Sequence, residues 1–322
     1  MPAEPVLAGA WAGLCAEFVD HKRSAGHGYP PSTARHYQAL ARHAAAFPGE
    51  PGVLTGEMVE TYLDPAGRMA STVNQMRSEV RQFALFLAAR GFGGWRPPDR
   101  WDALPAPRHN PRIITADEMA RVIAAADRLP DHPQAPRARL LYGMLLRMLW
   151  CCGTRSGETV ALATGDVDPD RGVVTIRHAK GGKTRLVPMS ETLARHAREY
   201  PRRTGDAADP GAWFYPSPRG GHIATVTVHH RVQRLMSEAG VTVDGARPAR
   251  VHDIRHSYAV AALAQMQAGG MDAYTCLPLL AAAMGHSDIR DTEYHLRLTG
   301  PAAAQLAADD DARHPGLYPR AD

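Results

Sequence analysis

Residues 139–158 read RLLYGMLLRMLWCCGTRSGE. The first part of this stretch, residues 139–150, is apolar on nearly all sides of a helix, which predicts a helix buried in a core. Gly153 then provides a turn, and Arg155 follows beside the start of another helix. An arginine at such a turn can point at an anion, with backbone N–H groups helping. Glu158, one helical turn on, could orient Arg155, although a purely structural pair is the commoner role of such neighbours.

The whole chain has the composition of an ordinary globular protein, with 322 residues of which 44% are hydrophobic and 22% charged. It contains no apolar run long enough for a membrane span, and its first residues lack the pattern of a signal peptide. The four cysteines show neither metal nor disulfide spacing. We therefore expect a cytoplasmic protein with no membrane association.

The cations of this chain are biased strongly towards arginine. The net charge of +4 mildly favours a polyanionic partner, and lysine occurs only at Lys22, Lys180 and Lys183. Arginine keeps its proton near neutral pH, whereas lysine can release it when its pKa is lowered. A lysine in such a protein is therefore a candidate proton donor. For Lys180 and Lys183, a solvated turn is an equally good interpretation.

A proline-rich segment divides the chain. Residues 96–112, RPPDRWDALPAPRHNPR, contain five prolines and four arginines, which predicts an extended, basic interdomain linker. It separates a helical domain at residues 1–95 from a larger domain at residues 113–300. Residues 301–322 are predicted to form a loose tail.

The periodicity predicts a mainly α fold with a small antiparallel β-hairpin or sheet. The strand-like runs 173–178 and 185–189 flank a glycine-bearing turn that carries Lys180 and Lys183. Further helices are predicted around residues 226–238, 251–268 and 276–284. In the first domain, basic residues lie off the apolar helix faces, which is usually mere solvation.

The stretch VHDIRH, residues 251–256, holds a second basic pair. His252 and Arg255 share a helix face, where an imidazole beside a guanidinium suits a phosphate group. A capped helix with ordinary surface groups would look the same. His252 and His256 are also spaced as zinc ligands can be, and a zinc hydrolase is one alternative. Because no third ligand is evident, we predict no metal site.

Four short sequences, taken in order, resemble one known family. They are CGTRSGETVALATGDVD at residues 152–168, KGGKTRLVPM at 180–189, HDIRHSYA at 252–259 and MGHS at 284–287. They resemble the catalytic domain of tyrosine recombinases, the phage-integrase family. The first domain is similar to the helical core-binding domain of that family, so the resemblance covers roughly residues 10–300. Four motifs in one order make a chance match very unlikely.

The resemblance implies a catalytic set around one scissile phosphodiester. Arg155 and Arg255 would hold the nonbridging oxygens, and Glu158 would brace Arg155. Lys180 would protonate the leaving 5′-oxygen and His252 would assist proton transfer at the nucleophile. The remaining members of the set are His286, which would bond a phosphate oxygen, and Tyr294, which would attack.

The same resemblance implies partners and excludes cofactors. Neither a metal nor ATP is needed, because a phosphotyrosine linkage stores the bond energy. The expected partner is double-stranded DNA with a specific recombination site, bound by a synaptic tetramer in the nucleoid, with other recombinases of the same element as further partners. The expected DNA-binding residues are Arg35, Arg77, Arg81, Arg108, Arg112 and Lys183.

The sequence departs from the family pattern at the nucleophile. In HSDIRDTEYHLRLTG, residues 286–300, the position where relatives carry tyrosine aligns with His295, one residue after Tyr294. One residue turns a helical side chain by about 100°. Tyr294 attacks if a shortened turn restores its aim; alternatively the protein binds DNA beside an active partner without cleaving it. Attack by His295 and attack by Tyr318 are remoter alternatives, and a type IB topoisomerase would share the chemistry.

Overall fold

A computed structural model describes residues 9–25, 31–105, 111–130, 132–177, 184–205, 209–243 and 245–285. The chain forms two compact units, Met1–His109 and Asn110–Asp322. Within the described ranges, no helix is both long enough and apolar enough to cross a membrane. The mainly helical fold with small antiparallel sheets that the sequence predicts is confirmed.

The first unit consists of helices around an aromatic core. Its helices are α1 (Ala10–Ser24), α2 (Pro31–Ala44), α3 (Gly56–Tyr62) and α4 (Ala70–Ala89). Phe18 of α1 lies at the centre, with its ring centroid 4.8 Å from that of Tyr37 and 5.6 Å from that of Phe83. Such edge-on ring pairs add to the gain from burial, so they hold α1, α2 and α4 together.

Residues of the predicted linker contact α4. Asn74 donates from Nδ2 to the carbonyl of Leu104 at 2.9 Å, and the Leu104 N–H donates back to Asn74 Oδ1 at 2.8 Å. The rings of Trp95 and Trp101 lie 5.5 Å apart. The described part of this proline-rich segment is therefore anchored to the first unit, whereas composition predicts only that it is extended.

The second unit combines helices with two small sheets. Its helices are α5 (Ala116–Asp127), α6 (Ala138–Cys152), α7 (Ser156–Val160), α8 (Glu191–Thr204), α9 (Thr225–Glu238), α10 (Val251–Ala268) and α11 (Ala273–Met284). Its strands are β1 (Val167–Asp168), β2 (Val173–Ile176), β3 (Arg185–Pro188), β4 (Thr242–Val243) and β5 (Arg247–Pro248). A capping box begins α5, where the Thr115 side chain accepts from the Glu118 N–H.

The predicted hairpin is confirmed as part of a three-stranded antiparallel sheet in the order β1-β2-β3. Val174 pairs with Val187 across β2 and β3, and with Val167 across β1 and β2. Strand β1 was missed because two residues are too short to show alternation. Valines 174 and 187 face the core, so the sheet forms one wall of it.

The core of the second unit is centred on α6. Leu145, Leu146 and Met148 of this helix are fully buried, as the apolar run 139–150 predicts. A separate cluster joins α10 to α11 through Leu263 and Leu280. These two packed regions place the end of α6, the start of α10 and the end of α11 around one point, where the candidate site lies.

Candidate active site

The turn after α6 begins the site. Gly153 ends α6 in the left-handed conformation, with φ at 58°. A Cβ added there would lie 2.1 Å from the Tyr258 ring, so only glycine fits both the backbone and the packing. The hydroxyl of Thr159 donates to the carbonyl of Arg155 at 3.0 Å, which fixes the following turn. The sequence thus sets the point from which the Arg155 side chain leaves the backbone.

Arg155 and Glu158 form a close pair. Arg155 Nη1 donates to Glu158 Oε1 at 2.8 Å, and the Arg155 backbone N–H donates to Glu158 Oε2 at 3.0 Å. The Arg155 side chain is 29% exposed and that of Glu158 is 10% exposed. The carboxylate therefore holds the arginine from the buried side and leaves part of the guanidinium open to solvent.

The carboxylate of Glu158 accepts from a second arginine. Arg185 on β3 reaches it with both terminal nitrogens, at 2.7 Å and 3.2 Å. Burial alone would raise the pKa of Glu158, but hydrogen bonds from the Arg185 side chain and the Arg155 backbone, the charge of Arg185 and a hydrogen bond from the Arg155 side chain lower it to about 2. Glu158 is thus a charged anchor at neutral pH.

Arg255 lies deeper, on the second turn of α10. Only 2% of its surface is exposed, and it donates to the carbonyl of Gly153 at 2.5 Å and to that of Met284 at 2.7 Å. Burial first, then the neighbouring charge of Arg155, lower the pKa of Arg255 to about 9. It is therefore still a cation at neutral pH, and it joins the α6 turn to the end of α11.

Two histidines flank this arginine on α10. His252 is exposed and His256 is buried, and their ring centroids lie 4.9 Å apart in an edge-on arrangement. Asp253 accepts from the Arg250 N–H at 2.7 Å and so caps the helix that carries both rings. His252 therefore lies where solvent or a ligand can reach it.

The structure thus brings together Arg155, Glu158 and Arg255, with His252 on the same helix as Arg255. Several predicted site residues lie outside the described residues: Lys180, Lys183, Arg108, His286, Tyr294, His295 and Tyr318. The roles of all these residues stay predictions.

The four predicted DNA-binding arginines in the described ranges differ in their surroundings. Arg35 is exposed on α2. Arg77 donates to the carbonyl of Asp102 at 2.7 Å, and Arg81 donates to a carbonyl of the same proline-rich segment. Arg112 pairs with Glu118 at 2.5 Å. Three of these cations therefore already bind protein groups.

No cluster for a metal ion is found among the described side chains, in which no three His, Cys, Asp or Glu residues lie together.

Sequence reasoning missed two contacts of the site. Arg185 lies in KGGKTRLVPM, and its local sequence does not mark it as a site residue, because a single charged residue on a strand is usually solvated. His229 of α9 is the other: its Nε2 lies 2.9 Å from the Ser156 hydroxyl. Burial, and then the charge of His230, lower the pKa of His229, so its ring is neutral at pH 7.

The second unit is thus mainly helical, with a small sheet and with arginines clustered around one carboxylate. A model of the phage integrase family matches residues 112–299, more than half of the chain. The chain therefore belongs to the phage integrase family of tyrosine recombinases.

Individual relatives agree with this family. The chain is 34% identical over 193 residues to the integrase/recombinase y4rE of Sinorhizobium fredii, a match that covers 58% of this chain and 59% of that relative. It is 26% identical to the tyrosine recombinase XerC of Mesorhizobium japonicum over 98% of both chains.

A solved structure shares the fold. The integrase of the Tn1549 transposon, solved with transposon right end DNA, superposes with a TM-score of 0.62 at 17% identity, over 93% of this chain and 98% of that one.

Proposed function

We propose that this protein is a site-specific DNA recombinase that cleaves and rejoins DNA through a 3′-phosphotyrosyl intermediate, without metal or ATP. One observation carries the proposal: Arg155, fixed by Glu158, and the buried cation Arg255 donate to neighbouring carbonyls at the end of α11, and the helix of Arg255 also carries the exposed His252. A half-open guanidinium near a buried one forms a fixed positive site for a phosphodiester.

The division of labour follows from charge and exposure. Phosphoryl transfer builds negative charge on the nonbridging oxygens, and Arg155, whose side chain is partly exposed, is the arginine that can reach them. Arg255 is buried, so it acts on the same oxygens mainly through its charge, which a low-dielectric interior screens little. Both groups are preorganised by hydrogen bonds, so they need not rearrange during the reaction.

The reaction itself exchanges one ester for another. The Tyr294 oxygen attacks phosphorus and loses its proton with the help of His252, while the bond to the 5′-oxygen breaks. Lys180 gives that leaving oxygen a proton, and His286 bonds a phosphate oxygen. A 5′-hydroxyl from a second duplex then reverses the step and releases the tyrosine, which completes one strand exchange without any added energy source.

Strand exchange between two sites needs two duplexes held together. We therefore propose that the protein binds double-stranded DNA at a specific site and assembles as a tetramer on two such sites. The Tn1549 integrase, whose structure contains transposon DNA, supports DNA as the partner. Arg35 is exposed and suits a phosphate contact, and the net charge of +4 favours the association.

The test is covalent capture on DNA. Duplexes selected from a random library by tight binding are nicked at successive positions, so that cleavage releases a short strand and traps the protein. The wild type should form an adduct that resists SDS, Tyr294→Phe should form none, and the control Tyr318→Phe should match the wild type. If no nick position traps the wild type, the cleavage mechanism is wrong.

A second candidate function rests on His295. The resemblance to the family implies a tyrosine at this position, where the chain has histidine. A non-cleaving homologue would bind the selected duplexes with strong salt dependence but would require an active partner recombinase for exchange. Turnover of a two-site substrate by this protein alone would exclude it.

A further inference from the structure

The end of α11 is held by arginines from three different parts of the second unit. Each of three successive carbonyls accepts from a different side chain: Ala283 from Arg185 at 3.0 Å, Met284 from Arg255 at 2.7 Å and Gly285 from Arg155 at 3.4 Å. The last carbonyls of a helix lack partners within it and carry its partial negative charge. Cations are therefore suited to bind them.

Arg185 contacts both Glu158 and the end of α11. Its two terminal nitrogens bind both oxygens of Glu158, while its Nε donates to Ala283. The side chain is 11% exposed, so the pair is mostly shielded from water. A planar guanidinium that uses all of its nitrogens in this way cannot rotate without breaking several hydrogen bonds at once.

The backbone of α11 approaches this arginine closely. Gly285 has φ at 69°, and a Cβ added to it would lie 2.7 Å from Arg185 Nη1 and 2.8 Å from its Cζ. Both the left-handed conformation and the short distance favour glycine. The sequence at the end of α11 is therefore matched to the presence of Arg185.

Another arginine of the same sheet region provides a contrast. Arg177, which directly follows β2, pairs with Asp166, and its side chain is 58% exposed. The ion pair of Arg177 with Asp166 involves neither Glu158 nor α11. Arg185 differs from Arg177 because its two terminal nitrogens bind both oxygens of Glu158, a contact called the fork below, and because it also contacts α11.

We infer that Arg185 is a positioning residue of the recombinase site: it fixes Glu158, and through it Arg155, against the end of α11. The inference rests on the proposed function for its effect on cleavage. Glu158 accepts from the backbone and side chain of Arg155 as well as from Arg185, so a loss of the fork frees one side of the carboxylate. Arg155 can then turn towards the freed oxygen and away from a bound phosphate.

The first test does not depend on cleavage. Hydrogen exchange is measured by mass spectrometry in the full chain for Arg185→Gln and for the matched control Arg177→Gln. Amides at the end of α11, up to residue 285, should exchange at least about tenfold faster in Arg185→Gln, because the capped carbonyls lose a partner. The control should match the wild type. Equal exchange in both variants would overturn the inference.

The second test uses the duplexes captured by the wild type. Arg185→Gln should cleave them at least about tenfold more slowly at saturating protein, with DNA affinity unchanged within about twofold. Arg185→Lys keeps the positive charge but cannot bind both Glu158 oxygens with two nitrogens, so its cleavage rate should lie between those of the wild type and Arg185→Gln. Unchanged cleavage would overturn the inference, whereas a wild type that never cleaves would defeat only the proposed function.

A double-mutant cycle identifies the route. If Arg185 acts through Glu158, the variant that carries both Arg185→Gln and Glu158→Gln should be no slower than the slower single variant. Rate losses that simply multiply would show two independent effects and would contradict the inference. If Arg185→Gln does not fold, Arg185→Lys measured against Arg177→Lys replaces it in every comparison.

Discussion

At the scale of single residues, the site depends on one carboxylate and on a glycine whose backbone conformation and packing disfavour any side chain. Glu158 anchors two arginines, and Gly153 lets the chain turn where Arg155 leaves it. The sequence predicted the pair of Arg155 and Glu158 and the turn, because both depend on neighbouring residues. It could not predict Arg185, since that contact joins residues far apart in the chain.

Gly153→Ala should destabilise the protein by about 2–4 kcal/mol. The added methyl group would overlap the Tyr258 ring, and alanine resists a φ of 58°. Gly157→Ala is the matched control: Gly157 has nothing within 4 Å of its added Cβ and lies in α7, so alanine should be neutral or stabilising there. Urea unfolding followed by circular dichroism compares the two; equal midpoints would contradict the packing described.

Glu158 should make stability depend on pH in acid. Its folded pKa of about 2 is below its ordinary value, so its contribution is present above about pH 4.5 and is lost as the pH falls towards 2. Between pH 5 and pH 3 the wild type should lose about 2 kcal/mol of unfolding free energy that Glu158→Gln does not lose. Identical slopes for both proteins would show that the carboxylate is not held in this way.

At the scale of elements, hydrophobic periodicity predicted the helices and strands that are long enough to show a repeat. The hairpin of β2 and β3 and the helices α9, α10 and α11 lie close to their predicted ranges. The two-residue strands β4 and β5 were missed, since so few residues carry no alternation. For residues 96–105, proline content predicted an extended chain but not what it contacts, because hydrogen bonds to distant side chains leave no local pattern.

The contact of this proline-rich segment with α4 should depend on Asn74. Asn74→Ala removes both hydrogen bonds to the Leu104 backbone, so amides of residues 98–105 should exchange about tenfold faster. Gln82→Ala is the control, because Gln82 lies on the same helix and its side-chain amide donates to Ser78, one turn earlier on that helix. Unchanged exchange in Asn74→Ala would show that the segment is held by other contacts.

At the scale of the whole molecule, motif order predicted the family, which the match over residues 112–299 confirms. That prediction succeeded because each of the four motifs is a short local sequence and the four occur in one order. The choice between Tyr294 and His295 depends on the path of one short segment, which lies outside the described residues. The sequence alone does not decide between the Tyr294 oxygen and a His295 ring nitrogen as the attacking atom. The two atoms would form different bonds to phosphorus, an ester and a phosphorus–nitrogen bond, which can be told apart chemically.

The most direct test of the account is the identity of the residue linked to DNA. The trapped adduct is digested with trypsin and nuclease, and mass spectrometry locates the remaining nucleotide on the peptide that spans residues 291–297. A phosphate ester on tyrosine survives mild acid, whereas a phosphorus–nitrogen bond on histidine hydrolyses. The account predicts an acid-stable nucleotide on Tyr294; an acid-labile nucleotide on His295, or no linked peptide at all, would contradict it.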